Sequence, residues 1–112
     1  MYDCDKDTLN NVQKLEEILL HAAKLANCTI INSFFYHFTP QGVSGTVVIA
    51  ESHLNIHTWP EYNYAAIDLF TCGVDLNPDP AIAYILDKTD ANRHVIKTLE
   101  RGNHLKTVGD DE

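Results

Sequence analysis

Val43-Ser-Gly-Thr-Val-Val-Ile-Ala-Glu-Ser-His-Leu-Asn-Ile-His-Thr-Trp-Pro60 is the stretch on which the fold of this chain turns. Val43 to Ala50 is mostly β-branched and apolar and reads as one strand. Glu51 and Ser52 interrupt the run, and His53 to Trp59 resumes it as another strand. Successive side chains of a strand point to opposite faces, so Leu54 and Ile56 share one face while His53, Asn55 and His57 share the other. Pro60 cannot continue the ladder and ends the strand.

Working outward, Thr29 to Phe38 is again β-branched and aromatic and stops at Pro40-Gln-Gly42, a strand followed by a loop. Tyr62 to Cys72 reads as a strand closed by Gly73, which makes the middle of the chain an antiparallel meander. Before it, Leu9, Val12, Leu15, Leu19, Ala22 and Ala26 recur at steps of three and four, the spacing of one amphipathic helix, with Asp5 or Asp7 as its cap. After it, Asp79-Pro80 has the form of a helix start, followed by Ala81, Ile82, Ile85 and Leu86. Val95 to Leu99 is expected as a last strand, and the residues through Asp110-Asp111-Glu112 as a frayed acidic tail. Helix, four strands, helix, strand is the order of an α+β fold: a two-layer sandwich in which an antiparallel sheet carries two helices on one face, with residues 1–112 as a single domain.

Composition narrows the function. The chain has 112 residues, 45% of them hydrophobic, and 8 Lys plus Arg against 16 Asp plus Glu, for a formal charge of -8. A chain of this length buries roughly two thirds of the surface its unfolded form exposes, enough for one core. The acid excess argues against a nucleic-acid or anionic-membrane surface, which needs a basic stripe, and favours a cationic partner. Cys4, Cys28 and Cys72 are widely spaced and form no Cys-x-x-Cys pair, which fits a reducing, cytoplasmic setting. The N-terminus has no basic and apolar leader pattern, and no apolar run approaches the ~20 residues that span a bilayer.

Reactive side chains concentrate in Glu51-Ser-His-Leu-Asn-Ile-His-Thr-Trp-Pro-Glu61, with Ser44 before and Cys72 after. Three readings are open. His53, His57, Cys72 and a carboxylate have the ligand types of a zinc site, but same-face residues four apart on a strand lie about 13 Å apart, which argues against a shared metal. Ser52 or Cys72 with a His base has the parts of a hydrolase, without the Gly-x-Ser-x-Gly elbow. Taken singly, each of these residues also fits an ordinary strand or turn position.

The stretch from Gly42 to Gly73, with its Glu51-Ser52 dipeptide, closely resembles the core of the short prokaryotic S-adenosylmethionine decarboxylases, which work through a covalently bound pyruvoyl group. A weaker resemblance runs from Tyr2 through the first helix and out to Glu100-Arg-Gly102. The resemblance implies that Ser52 is the pyruvoyl precursor: its hydroxyl attacks the Glu51 carbonyl, the resulting ester eliminates, and hydrolysis leaves the pyruvoyl group. Residues 1–51 become the β chain and residues 52–112 the α chain, with ammonia released. Ser44 is implied to stabilise the processing intermediate and His57 to remove the α-proton of residue 52.

In the implied decarboxylation, the substrate amine condenses with the pyruvoyl ketone as a Schiff base, no metal is needed, and Cys72 returns the proton. Phe38 aligns with an adenine-stacking aromatic and Glu61 with a ribose-binding carboxylate. The active form is implied to be a homodimer with sites at the interface, Ser52 and Cys72 coming from one protomer and Ser44, His57 and Glu61 from the other. The product would be the aminopropyl donor for spermidine. Two other readings keep the scaffold: pyruvoyl-dependent decarboxylation of arginine or ornithine, and a catalytically silent regulatory homologue. Family members carry a further strand ahead of the Tyr-x-Cys-Asp segment, whereas Met1 here stands immediately before Tyr2, so an open sheet edge is expected.

Overall fold

A computed structural model of the chain describes residues 1–50, 52–70 and 78–97, with Ser52 and Phe70 as backbone alone. The elements are α1 (Lys6–Leu9), α2 (Val12–Leu25), β1 (Ile30–His37), β2 (Val43–Ile49), β3 (Ser52–Trp59), β4 (Tyr64–Phe70) and α3 (Pro78–Lys88), with a 3-10 turn at Pro60–Tyr62 between β3 and β4. The four strands form an antiparallel meander in the order β1-β2-β3-β4.

The alternation read from the sequence is the alternation observed. Val43, Val47, Ile49, Leu54, Ile56 and Ala65 are buried in one core with Leu15, Leu19 and Ala22 of α2 and with Ala81 and Ile85 of α3, so the helices cover one face of the sheet. Ser33 Oγ donates to Glu16 Oε2 at 2.7 Å, tying β1 to α2. The buried Thr58 hydroxyl donates to the Leu9 carbonyl at 2.8 Å and accepts from the Val43 N–H at 2.8 Å, joining α1, β2 and β3 at one point. Leaving such a buried group unmet costs about 1–3 kcal/mol, so this knot fixes the sheet against the first helix.

Several boundaries differ from the sequence reading. The single first helix is broken at Asn10–Asn11: Asp5 caps α1 through the Thr8 N–H, and Asn11 caps α2 through the Lys14 N–H at 3.0 Å. A side chain that offers the backbone a local acceptor competes with helix continuation, which is why two successive Asn residues divide the segment. The last helix begins at Pro78 rather than after Asp79, since a first turn tolerates two prolines whose missing N–H groups have no intrahelical role there. β4 starts at Tyr64, because Tyr62 belongs to the 3-10 turn and Asn63 takes a left-handed conformation at φ 51°.

The expected last strand is not formed over its described part, Val95 to Lys97. One antiparallel bridge joins Tyr2 to Arg93. Met1 in turn exchanges backbone hydrogen bonds with Ala65 at 2.9 and 3.1 Å, flanking the start of β4. Leu99, the acidic tail, Glu51 and Cys72 lie outside the described residues.

Candidate active site

The face of the sheet turned away from the helices carries the paired Ser44 and His57. Register places Tyr36, Ser44, His57 and Ala66 in one row across the four strands, and Phe34, Thr46, Asn55 and Asp68 in the next. Ser44 and His57 are direct cross-strand partners, and Ser44 Oγ and His57 Nδ1 share a hydrogen bond of 2.6 Å. The bond fixes the orientation of the ring, and in the tautomer whose Nδ1–H donates to the serine it leaves the Nε2 lone pair available.

Aromatic rings border this pair on both sides. Phe38, just past β1, stands edge-on to Tyr36 with centroids 4.8 Å apart. On the other side His57, Trp59, Tyr64 and Tyr2 follow one another at 6.5, 5.5 and 5.1 Å, and the Arg93 guanidinium lies 5.0 Å from the Tyr2 ring centre. Tyr36, Phe38 and Trp59 remain 62%, 48% and 39% exposed. Large aromatic side chains left open together on a sheet face mark a binding surface, and their π-faces suit both a flat heterocycle and a cation. Glu61 is exposed on the 3-10 turn that follows Trp59, at the same end of the sheet.

Ser52 is at the opposite end. It opens β3 opposite Ile49, and its neighbour His53 pairs with Phe70, the last residue of β4. Five residue steps along the strand separate Ser52 from His57, about 17 Å. The structure thus gathers Phe38, Ser44, His57 and Glu61 at one end and sets Ser52 at the other, with Cys72 two residues beyond the end of β4 in the sequence. Near Ser52, His53 Nε2 lies 3.9 Å from Asp68 Oδ2. The two histidines turn to different partners, and among the described residues no group of three or more His, Cys, Asp or Glu side chains is disposed to hold a metal.

The sequence reading did not single out Tyr36, Trp59, Tyr64 or the His53–Asp68 pair as site residues. The signal for Trp59 was the same two-residue step that placed His53, Asn55 and His57 together. Tyr36, Tyr64 and Asp68 join them only through cross-strand register, which a single strand's pattern does not contain.

The sequence model of the S-adenosylmethionine decarboxylase family matches residues 1–102. The chain belongs to the S-adenosylmethionine decarboxylase family. It is 53% identical over 104 residues to the S-adenosylmethionine decarboxylase proenzyme of Thermosipho africanus, covering 92% of this chain and 79% of that relative. To the proenzyme of Acidithiobacillus ferrooxidans it is 48% identical over 101 residues, covering 90% of this chain and 76% of the relative. The crystal structure of the adenosylmethionine decarboxylase from Aquifex aeolicus superposes with a TM-score of 0.74 at 33% identity, covering 90% of this chain and 88% of that one. Within the family, the α+β sheet with helices on one face is therefore an established architecture, and its open face is where this chain carries Ser44 and His57.

Proposed function

We propose that this chain is the precursor of a pyruvoyl-dependent S-adenosylmethionine decarboxylase that cuts itself between Glu51 and Ser52. The observation that carries the reading is the Ser44–His57 hydrogen bond on the open face, in a chain of this family whose third strand begins with Ser52. Ser52 suits the role of precursor, because it opens β3 paired with Ile49, the last residue of β2, and a serine's own nitrogen carries the preceding carbonyl that its hydroxyl must attack.

In the proposed maturation the Ser52 oxygen bonds to the Glu51 carbonyl carbon and the peptide C–N bond breaks, giving an ester and a free amine. His57 Nε2, oriented by Ser44, takes the α-proton of residue 52, and the ester leaves as the Glu51 carboxylate. Water then replaces the nitrogen of the resulting enamine, releasing ammonia and leaving the pyruvoyl group at residue 52.

When present, that group supplies an electrophilic carbonyl that takes up the electrons released with carbon dioxide. Cys72 delivers the proton that replaces the lost carboxyl group. Phe38, with Tyr36 and Trp59 nearby, holds the adenine ring and the sulfonium centre, and Glu61 accepts from the ribose hydroxyls. The exposed aromatic border favours a nucleoside over arginine or ornithine. The product is the aminopropyl donor for spermidine synthesis, and the free thiols of Cys4 and Cys28 accord with a reducing cytoplasm.

The ~17 Å of strand between Ser52 and His57 supports a homodimer whose sites are composite. Ser52 and Cys72 of one protomer meet Ser44, His57 and Glu61 of its partner. Denaturing mass spectrometry tests the precursor reading: the purified protein is expected as two chains split between Glu51 and Ser52, the second bearing a pyruvoyl terminus, and Ser52→Ala as one intact chain of 12.6 kDa. Carboxyl-labelled S-adenosylmethionine should release labelled carbon dioxide only with the cleaved form. A wild-type chain that stays intact in the active preparation would overturn the pyruvoyl reading.

A further inference from the structure

One side-chain oxygen from the break between α1 and α2 holds both flanks of the loop that presents Phe38. Asn10 Oδ1 accepts from the Gly42 N–H at 2.9 Å and lies 2.8 Å from His37 Nε2. A backbone N–H is only a donor, so Gly42 settles which end of the carboxamide faces the loop, and His37 must then carry its proton on Nε2 and donate to the same oxygen. Residues 37 and 42 bracket Phe38, and the Phe38 N–H donates to the Gly42 carbonyl at 2.8 Å, closing the loop on itself. Gly42 adopts φ 107°, and a Cβ there would stand 3.2 Å from the Thr58 carbonyl oxygen, so this turn position requires glycine.

Asn10 is itself anchored. It ends α1, where its N–H donates to the carbonyls of Lys6 and Asp7 at 3.1 and 3.3 Å. The break between α1 and α2 therefore delivers a carboxamide oxygen to the end of the sheet where Phe38, Ser44 and His57 lie.

We propose that Asn10 is a positioning residue for substrate binding: by accepting from His37 and Gly42 together it sets where the Phe38 ring stands. This rests on the reading of Phe38 as a substrate-binding aromatic. The test uses the full chain and measures the extent of self-cleavage, kcat and KM for S-adenosylmethionine in Asn10→Ala, Asn10→Asp, His37→Ala, Phe38→Ala and the Asn10→Ala/Phe38→Ala double variant. Asn10→Ala is expected to raise KM about tenfold, the scale of one lost hydrogen-bonded contact, with kcat and cleavage held.

Asn10→Asp keeps the accepting oxygen and is expected to restore KM to near the parent value. His37→Ala, a change at an exposed side chain, raises KM in the same direction by less, and keeps the proposal testable if Asn10→Ala does not fold. In the double variant KM is expected to be no higher than in Phe38→Ala alone, because Asn10 acts through that ring. Multiplying effects, or an unchanged KM in both Asn10→Ala and His37→Ala while Phe38→Ala raises it, would overturn the positioning role alone. An unchanged KM in Phe38→Ala would overturn the reading of Phe38 and the proposal with it.

Discussion

His57 illustrates what a single residue gains from its register. On sequence it is one of two histidines four apart; in the sheet it alone faces Ser44, while His53 faces Asp68. Removing the orienting hydroxyl frees the ring to rotate and to change tautomer. If the proposed maturation holds, Ser44→Ala is expected to slow self-cleavage by roughly ten- to a hundredfold, up to the lower end of the roughly 10²–10⁴ that general-base catalysis contributes, followed as loss of intact chain on denaturing gels. Cys4 shows the opposite case, a reactive atom put out of reach. It is buried in the core, and burial pushes its thiol above the ordinary value of 9.0. The unfolded chain ionises first, so the stabilising contribution is fully present below that value and is lost as pH climbs through the folded thiol's range. Denaturant midpoints should fall above about pH 9 in the parent and less in Cys4→Ala, and iodoacetamide should modify Cys28 before Cys4 in the native protein.

At the level of elements, the strands were the legible part. β2 and β3 carry apolar side chains at every second position, and one buried face leaves no freedom in which residues turn inward. The helix break was less visible, since the apolar spacing runs through Asn10 and Asn11 unbroken while the capping side chains act against it. The last strand misled because strand composition alone does not make a strand: over its described part, Val95 to Lys97, no ladder forms, and composition cannot report whether a partner strand lies alongside. Gly45 was silent on sequence as well. It sits in β2 opposite Phe35, and a Cβ at Gly45 would collide with the Phe35 ring, which lies across the glycine. Gly45→Ala should cost about 1–3 kcal/mol in denaturant unfolding, and Phe35→Leu in the same chain should recover part of it, a coupling measurable as a double-mutant cycle.

Across the whole molecule, Phe38, Ser44, His57 and Glu61 lie at one end of the sheet and Ser52 at the other, and the proposed dimer is what would bring the two ends together. Strand rise let the sequence set Ser52 apart from His57, but not the pairing of His57 with Ser44, which follows from the register of β2 on β3. Mixing variants makes the division measurable. Neither Ser52→Ala nor His57→Ala should cleave alone, whereas in mixed dimers the His57→Ala chain, supplied with the partner's intact base, should be cut. Absence of cleavage in dimers shown to be mixed would place both residues in one protomer's site.

The ladder between β2 and β3 has a last consequence. The proposed cut falls between them, so α1, α2, β1 and β2 belong to one product while β3, β4 and α3 belong to the other. What holds them afterwards is the ladder and the shared core, with no covalent tie. Maturation would then be a one-way door: the uncut Ser52→Ala chain should regain its secondary structure after dilution from denaturant, and the mature protein should do so only as two chains find each other, with a yield that rises with concentration. In that scheme folding comes first, because the register that pairs Ser44 with His57 exists only in the folded sheet.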